Sequence, residues 1–225
     1  MRENTYPGTL IVVEGADGAG TTTQSEKLAE ALDAHYTAEP TDNPVGEKVS
    51  EMISTGEHSP ESIALAFAGD RILHLEEEVI PRLENGETVV MDRYYHSSLV
   101  YQPALGADYS WVEEINREAV KPDLTILLDI LSREALSRIK ERESDISQEA
   151  IENRDTSQSS LAHFSSGEDI FENLNFQEEV LKRYRKLADS LDEEIAVVDA
   201  SPSIEKVFDQ VKYAVRTRTS VNPDT

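Results

Sequence analysis

The chain has 225 residues, enough for one well-buried α/β domain. Its 45 Asp and Glu against 21 Lys and Arg give a formal net charge of -24, yet hydrophobic residues still make up 38% of it, so the charge belongs to a solvated acidic surface and not to a disordered chain. That balance argues against a nucleic-acid partner and points to a salt-rich, halophilic setting; with no cysteine there is no disulfide framework or Cys-based metal site, and with no membrane-length apolar run or signal-like start the expectation is a cytoplasmic protein with no membrane partner.

In chain order, TLIVVEG from Thr9 to Gly15 reads as a buried β-branched strand ending in glycine. Helical spacing of Leu28, Ala29 and Leu32 then starts a helix near Thr21. A second strand is expected around His35 to Thr37, followed by the loop EPTDNPVG. A long helix follows, with Ser59 as its cap, Pro60 in its first turn, a kink at Pro81 and Gly86 after its end. ETVVMD, DLTILLDI and EEIAVVDA are the third, fourth and fifth strands. Helical patterns lie near Tyr95 to Gln102, Trp111 to Val120, Arg133 to Arg142, Ile170 to Leu191 and Ser203 to Arg216. This alternation implies a parallel sheet with ligands at the carboxyl ends of its strands. The polar, Ser-rich stretch of about 143–169 is either a surface insertion or a lid, and residues 218–225 read as a flexible tail after a single domain of 1–217.

Between the first strand and helix stands EGADGAGTTTQ, with glycines at 15 and 20 spaced as in the phosphate-binding pattern G-x-x-x-x-G-K-[ST]. Gly18 and Gly20 let the backbone wrap, the helix start presents N–H groups to an anion, and Thr22 offers a hydroxyl to Mg²⁺. Thr21 occupies the lysine position. At the end of the third strand, Asp92 can organise a hydrated metal and Arg93 can clamp phosphate oxygens. Phe67 and Arg71 are four apart on the long helix and share a face; they suit either a base-binding pocket or core packing and a surface ion pair.

With IVVEGADGAGTTTQ, EPTDNPVG, FAGDRILHLEEEVIP, MDRYYHSSLVYQ, KPDLTILLDI, RIKER and DIFENLNFQEEVLKRYRKLA, the chain resembles the thymidylate kinases, above all their archaeal branch, over nearly its whole length. The resemblance implies a three-layer nucleoside monophosphate kinase fold, with a five-stranded parallel sheet flanked by helices and a lid. It implies transfer of the γ-phosphoryl of ATP to dTMP, giving dTDP and ADP. It places Gly15, Ala16, Asp17, Gly18, Ala19, Gly20, Thr21 and Thr22 around the ATP phosphates, with Mg²⁺ at Thr22 and Asp92 and Arg138 near adenine. Glu39 and Pro40 match the loop beside the acceptor phosphate, Phe67 would stack on thymine, and Arg71 would reach the base edge. Asp92, Arg93 and Tyr94 match the D-R-Y motif, Ser97, Ser98, Tyr101 and Gln102 would complete the monophosphate pocket, and a homodimer is implied.

Three positions depart from the family pattern. Thr21 removes the cation that neutralises the β- and γ-phosphate oxygens. Ala38 stands where many relatives carry arginine before Glu-Pro, and the lid region is long and acidic. Lys27 lies six residues beyond Thr21, a rotation of roughly 240° and a rise of about 9 Å along a helix, so it is expected to point away. Arg142 and Arg154, in or near the lid, are the expected replacement cations. Two readings stay open beside the kinase: a catalytically weak or inactive nucleotide-binding regulator, and a kinase for another monophosphate.

Overall fold

The computed structural model describes residues 1–141 and 169–224, with side chains for 1–141 and 174–224. The stretch 142–168 lies outside the described residues, and with it the expected lid up to its last residue, Arg142 and Arg154.

Five strands form one sheet: β1 Thr9–Gly15, β2 His35–Ala38, β3 Thr88–Asp92, β4 Leu124–Asp129 and β5 Ile195–Asp199. Their order is β2-β3-β1-β4-β5 and every pairing is parallel. The α/β architecture and parallel five-stranded sheet expected from the alternating pattern are therefore present. β1 is central, and Leu10, Ile11, Val12 and Val13 are wholly buried in it. A β-branched run buried on both faces is what a central parallel strand demands. The register sets Asp92 beside Val13 and Ala38, and Leu128 beside Gly15. The carboxyl ends of β1 to β4 thus meet at one edge, where an open α/β sheet binds its ligands.

α1 Thr21–Leu32 and α9 Ile204–Arg218 pack against each other and the sheet. α5 Tyr95–Ala104 and α8 Asp169–Ser190 form another such pair. Between β2 and β3 run α2 Pro44–Thr55 and α3 Pro60–His74, a π turn Leu75–Val79 and α4 Ile80–Glu84. α6 Tyr109–Ile115 precedes β4, and a helix over 132–141, α7, follows it.

Three elements differ from the sequence expectation, each for a local reason. The end of EPTDNPVG is helical: Asn43 accepts from the N–H groups of Val45 and Gly46, and Pro44 opens α2. The long helix is divided by the π turn, in which the N–H of Ile80 donates to the carbonyl of Leu75. That register shift lies immediately before Pro81, which has no N–H to give. The helix expected from Trp111 to Val120 starts earlier, because Asp108 caps it by accepting from the Trp111 N–H, and ends at Ile115. Beyond α9, Val221 packs on the core, and Asp224 pairs with Arg216 at 3.0 Å and Lys212 at 3.3 Å.

Candidate active site

The loop from Gly15 to Thr21 joins β1 to α1 in a tight turn. Gly18 and Gly20 have φ of +82° and +95°, a region closed to most side chains. A Cβ on Gly18 would also meet the Ala135 carbonyl oxygen at 2.4 Å, so α7 crosses directly over the loop. Gly20 is the N-cap of α1 and offers no side chain, and the first turn carries no acidic residue. No side chain competes with an anion for those N–H groups.

Opposite the loop, the Thr22 hydroxyl donates to Asp92 Oδ2 at 2.5 Å. Asp92 is buried, and its Oδ1 has no hydrogen-bond partner among the described residues. A hydroxyl beside a carboxylate with a free buried oxygen is a donor set that fits Mg²⁺. Arg93 follows with φ of +66°, and its Nη2 donates to Asp17 Oδ1 at 2.7 Å while Nη1 donates to Ser97 Oγ at 3.3 Å. Its guanidinium lies 5.7 Å from the centre of the Tyr101 ring, and the Tyr101 hydroxyl accepts from the Asp17 N–H at 3.2 Å. Burial works against the Arg93 charge, but Tyr101 and the Asp17 carboxylate outweigh it and hold its pKa well above the ordinary value. Asp17 and Thr22 from the glycine loop and Asp92, Arg93, Ser97 and Tyr101 from the segment after β3, two stretches far apart in sequence, therefore form one cluster.

A second cluster surrounds Arg71, which is only 2% exposed. Its Nε and Nη2 donate to Glu39 Oε2 at 2.9 and 2.6 Å; Ser98 Oγ lies at 3.4 Å, and Asn116 Oδ1 also accepts from it. The Tyr94 ring lies beneath, 5.4 Å from the guanidinium. Tyr94 is itself buried, and its hydroxyl accepts from the Val120 N–H. Phe67, half-buried, is one turn away from Arg71 along α3. Gln102 is buried, and its Oε1 has no partner among the described residues. Ala38 and Pro40 line a cavity of about 360 Å³ together with Thr41, Asp42, His74 and Glu78. Among the described residues, no lysine or arginine lines this wall, where the family pattern carries arginine.

Arg138 stands apart from both clusters and donates to the carbonyls of Ala200 and Ser201, tying α7 to the loop after β5. Lys27 points away from the loop, as its helical offset requires: it pairs with Glu205 at 3.0 Å beside the Phe208 ring.

Several site residues escape the sequence reading. Glu39 also accepts from His74 Nδ1 at 3.3 Å, and His74 Nε2 meets the Thr37 hydroxyl at 2.7 Å. Asp70, wholly buried, accepts from the Thr41 N–H and hydroxyl, fastening the loop after Pro40. Both residues fall on the face already marked by Phe67 and Arg71, so helical spacing offered a signal for them. Asn116 offered none. Glu14 did: it is a lone carboxylate inside an apolar strand.

The sequence model of the family described as thymidylate kinase matches residues 13–165. The probable thymidylate kinase of Thermococcus kodakarensis is 35% identical over 222 residues, covering 92% of this chain and 97% of that protein. Those of Methanococcus vannielii and Pyrococcus abyssi are 36% and 34% identical over 180 and 220 residues. They cover 80% and 93% of this chain, and 78% and 96% of their own length. With that match across a phosphate loop, a D-R-Y turn and a parallel sheet that join in one site, the chain belongs to the thymidylate kinase family.

Proposed function

We propose that this chain is a working thymidylate kinase that moves the γ-phosphoryl of ATP to dTMP, yielding dTDP and ADP for dTTP synthesis. The observation that carries the reading is the joining of Thr22, Asp92, Arg93 and Asp17 at the carboxyl edge of β1 and β3, with Arg71 and Glu39 beside them.

Phosphoryl transfer asks a protein mainly for positioning and for cations around the moving charge. The glycine loop and the uncapped start of α1 hold the triphosphate. Thr22 and Asp92 hold Mg²⁺, which when bound neutralises phosphate oxygens. Arg93, at the junction of the two clusters, bridges donor and acceptor phosphates after leaving Asp17. Arg138 closes the adenine side. Glu39 and Pro40 border the acceptor phosphate, Phe67 stacks on the base and Arg71 defines its edge, with Ser97, Ser98, Tyr101 and Gln102 completing the pocket. Arg142 and Arg154 are the proposed sources of part of the positive charge that Thr21 leaves out.

The acidic surface suits a salt-rich cytoplasm, since a molar salt concentration shortens the screening length to about 3 Å. Leu65 and Ile72 are 54% and 38% exposed on either side of Gly69, at positions i, i+4 and i+7 of α3. This apolar stripe is the proposed homodimer face, and Leu65→Glu should convert a dimer to a monomer in sedimentation.

The test of function is ADP release by the purified protein in molar KCl with ATP, Mg²⁺ and dTMP. Turnover that needs both nucleotides, and falls when dTMP is replaced by other monophosphates, supports the reading. Binding of dTMP without turnover would make the chain a nucleotide-binding regulator instead.

A further inference from the structure

Helix α5 begins without a cap of its own. Its N-cap residue is Tyr94, whose ring has no acceptor within reach of the first N–H groups. The missing acceptor comes from another element. Glu14, next to last in β1 and 1% exposed, takes the Tyr94 N–H at 2.8 Å and the Ser97 N–H at 3.1 Å on its Oε1. Its Oε2 accepts the Ser97 hydroxyl at 2.8 Å and the Tyr184 hydroxyl of α8 at 2.9 Å. A side chain normally caps the helix it precedes, and here a distant strand does so with a negative charge placed where the helix dipole favours one.

The cap has a consequence one residue upstream. Arg93 holds a left-handed backbone that is unfavourable for any residue with a Cβ, and such a conformation persists only when its surroundings over-determine it. Its own N–H is fixed by the Val13 carbonyl at 3.0 Å, and the next N–H, of Tyr94, is fixed by Glu14. The turn is therefore pinned on both sides by consecutive residues of β1. Ser97 Oγ, which Glu14 orients, also receives Arg93 Nη1.

We propose that Glu14 is the positioning residue for Arg93: it fixes the strained turn, and thereby the direction of the guanidinium, without itself touching nucleotide. The proposal rests on the kinase reading above for its effect on turnover, but not for its effect on Arg93. Reach and charge at residue 14 separate in two variants. Glu14→Gln keeps the length of the side chain and an oxygen for the two N–H groups. Glu14→Asp keeps the charge but is one methylene too short to serve them.

The expected result is that Glu14→Gln turns over within about threefold of wild type while Glu14→Asp loses about 100-fold in kcat, with KM for ATP and dTMP little changed, because misplacement by about 1 Å costs that much. In an Arg93→Ala background the Asp substitution should cost nothing further. An active Asp variant beside an inactive Gln variant, or the same loss in both backgrounds, would overturn the proposal. Nitrogen-detected NMR of the Arg93 guanidinium decides the matter without catalysis. Its signals should stay slow and distinct in wild type and Glu14→Gln and average in Glu14→Asp, and unchanged signals in Glu14→Asp would refute it. A wild-type protein without turnover would instead count against the kinase reading, and the NMR comparison would still judge Glu14.

Discussion

Restoring the lysine by Thr21→Lys tests how far the site relies on charge from elsewhere. Thr21 is 6% exposed and is the first residue of α1, behind the uncapped Gly20. In the unliganded protein a cation there faces the positive end of the helix, which costs about 0.3–1 kcal/mol. At a typical sensitivity of about 2–4 °C per kcal/mol for a chain of this size, the variant should melt roughly 1–4 °C below wild type. The nearby Asp92 Oδ1, without a partner among the described residues, offsets part of that loss. In the transition state the sign reverses. A donor aimed at developing phosphate charge is worth about 10²–10³ in rate, or roughly 2.7–4 kcal/mol. Three described cations are held elsewhere in the unliganded protein: Lys27 by Glu205, Arg138 by the Ala200 carbonyl, and Arg93 by Asp17. The expectation is therefore lower stability without nucleotide together with kcat raised by about 10²-fold, read by a melt and an ADP-release assay on the same preparation. A variant that melts lower but turns over no faster would refute the reasoning. It would mean that a cation already occupies the position during turnover, and Arg142→Gln and Arg154→Gln would then show which arginine supplies it.

Glu39→Gln breaks a buried ion pair with Arg71 and should cost about 3–5 kcal/mol in urea unfolding; a loss under about 1 kcal/mol would mean that Asn116 and Ser98 suffice. Gly18→Ala places a Cβ 2.4 Å from the Ala135 carbonyl at a φ of +82°, so ATP affinity measured by calorimetry should fall at least about tenfold, the left-handed penalty alone being about 1–2 kcal/mol. The Glu193 side chain is buried, which by itself would raise its pKa, but hydrogen bonds from His96 and Tyr95 outweigh this and hold it below the usual glutamate value. Because the folded-state pKa is the lower one, its contribution is present above the ordinary glutamate pKa of about 4.3 and is lost as pH falls through the depressed value. Stability curves against pH should accordingly lose part of their acid limb in Glu193→Gln, and a limb of unchanged slope would remove Glu193 from the cause.

What the sequence made legible follows from how locally each feature is determined. β1, β3 and β4 are apolar runs with β-branched residues, and their burial needs nothing beyond the chain segment itself. The glycines of the phosphate loop announce a turn because few other residues accept its φ values. α2 was missed although Asn43-Pro44 and Gly56 bracket it, since a proline-rich stretch reads equally as a loop until its cap is seen. The clusters differ in kind. That Asp92 meets Thr22 followed from Asp92 ending β3 and Thr22 opening the helix that leaves the adjacent β1, whereas the Arg71–Glu39–His74 network depends on how α3 lies against β2, which no spacing encodes. The same distinction governs the missing lysine. Its absence is a local fact at Thr21, but any compensation is a property of which side chains face the phosphates. A sequence that gives up a charge at one position must be judged on the positions that face it, and that is why the Thr21→Lys measurement, not the loop motif, decides how this enzyme moves a phosphoryl group.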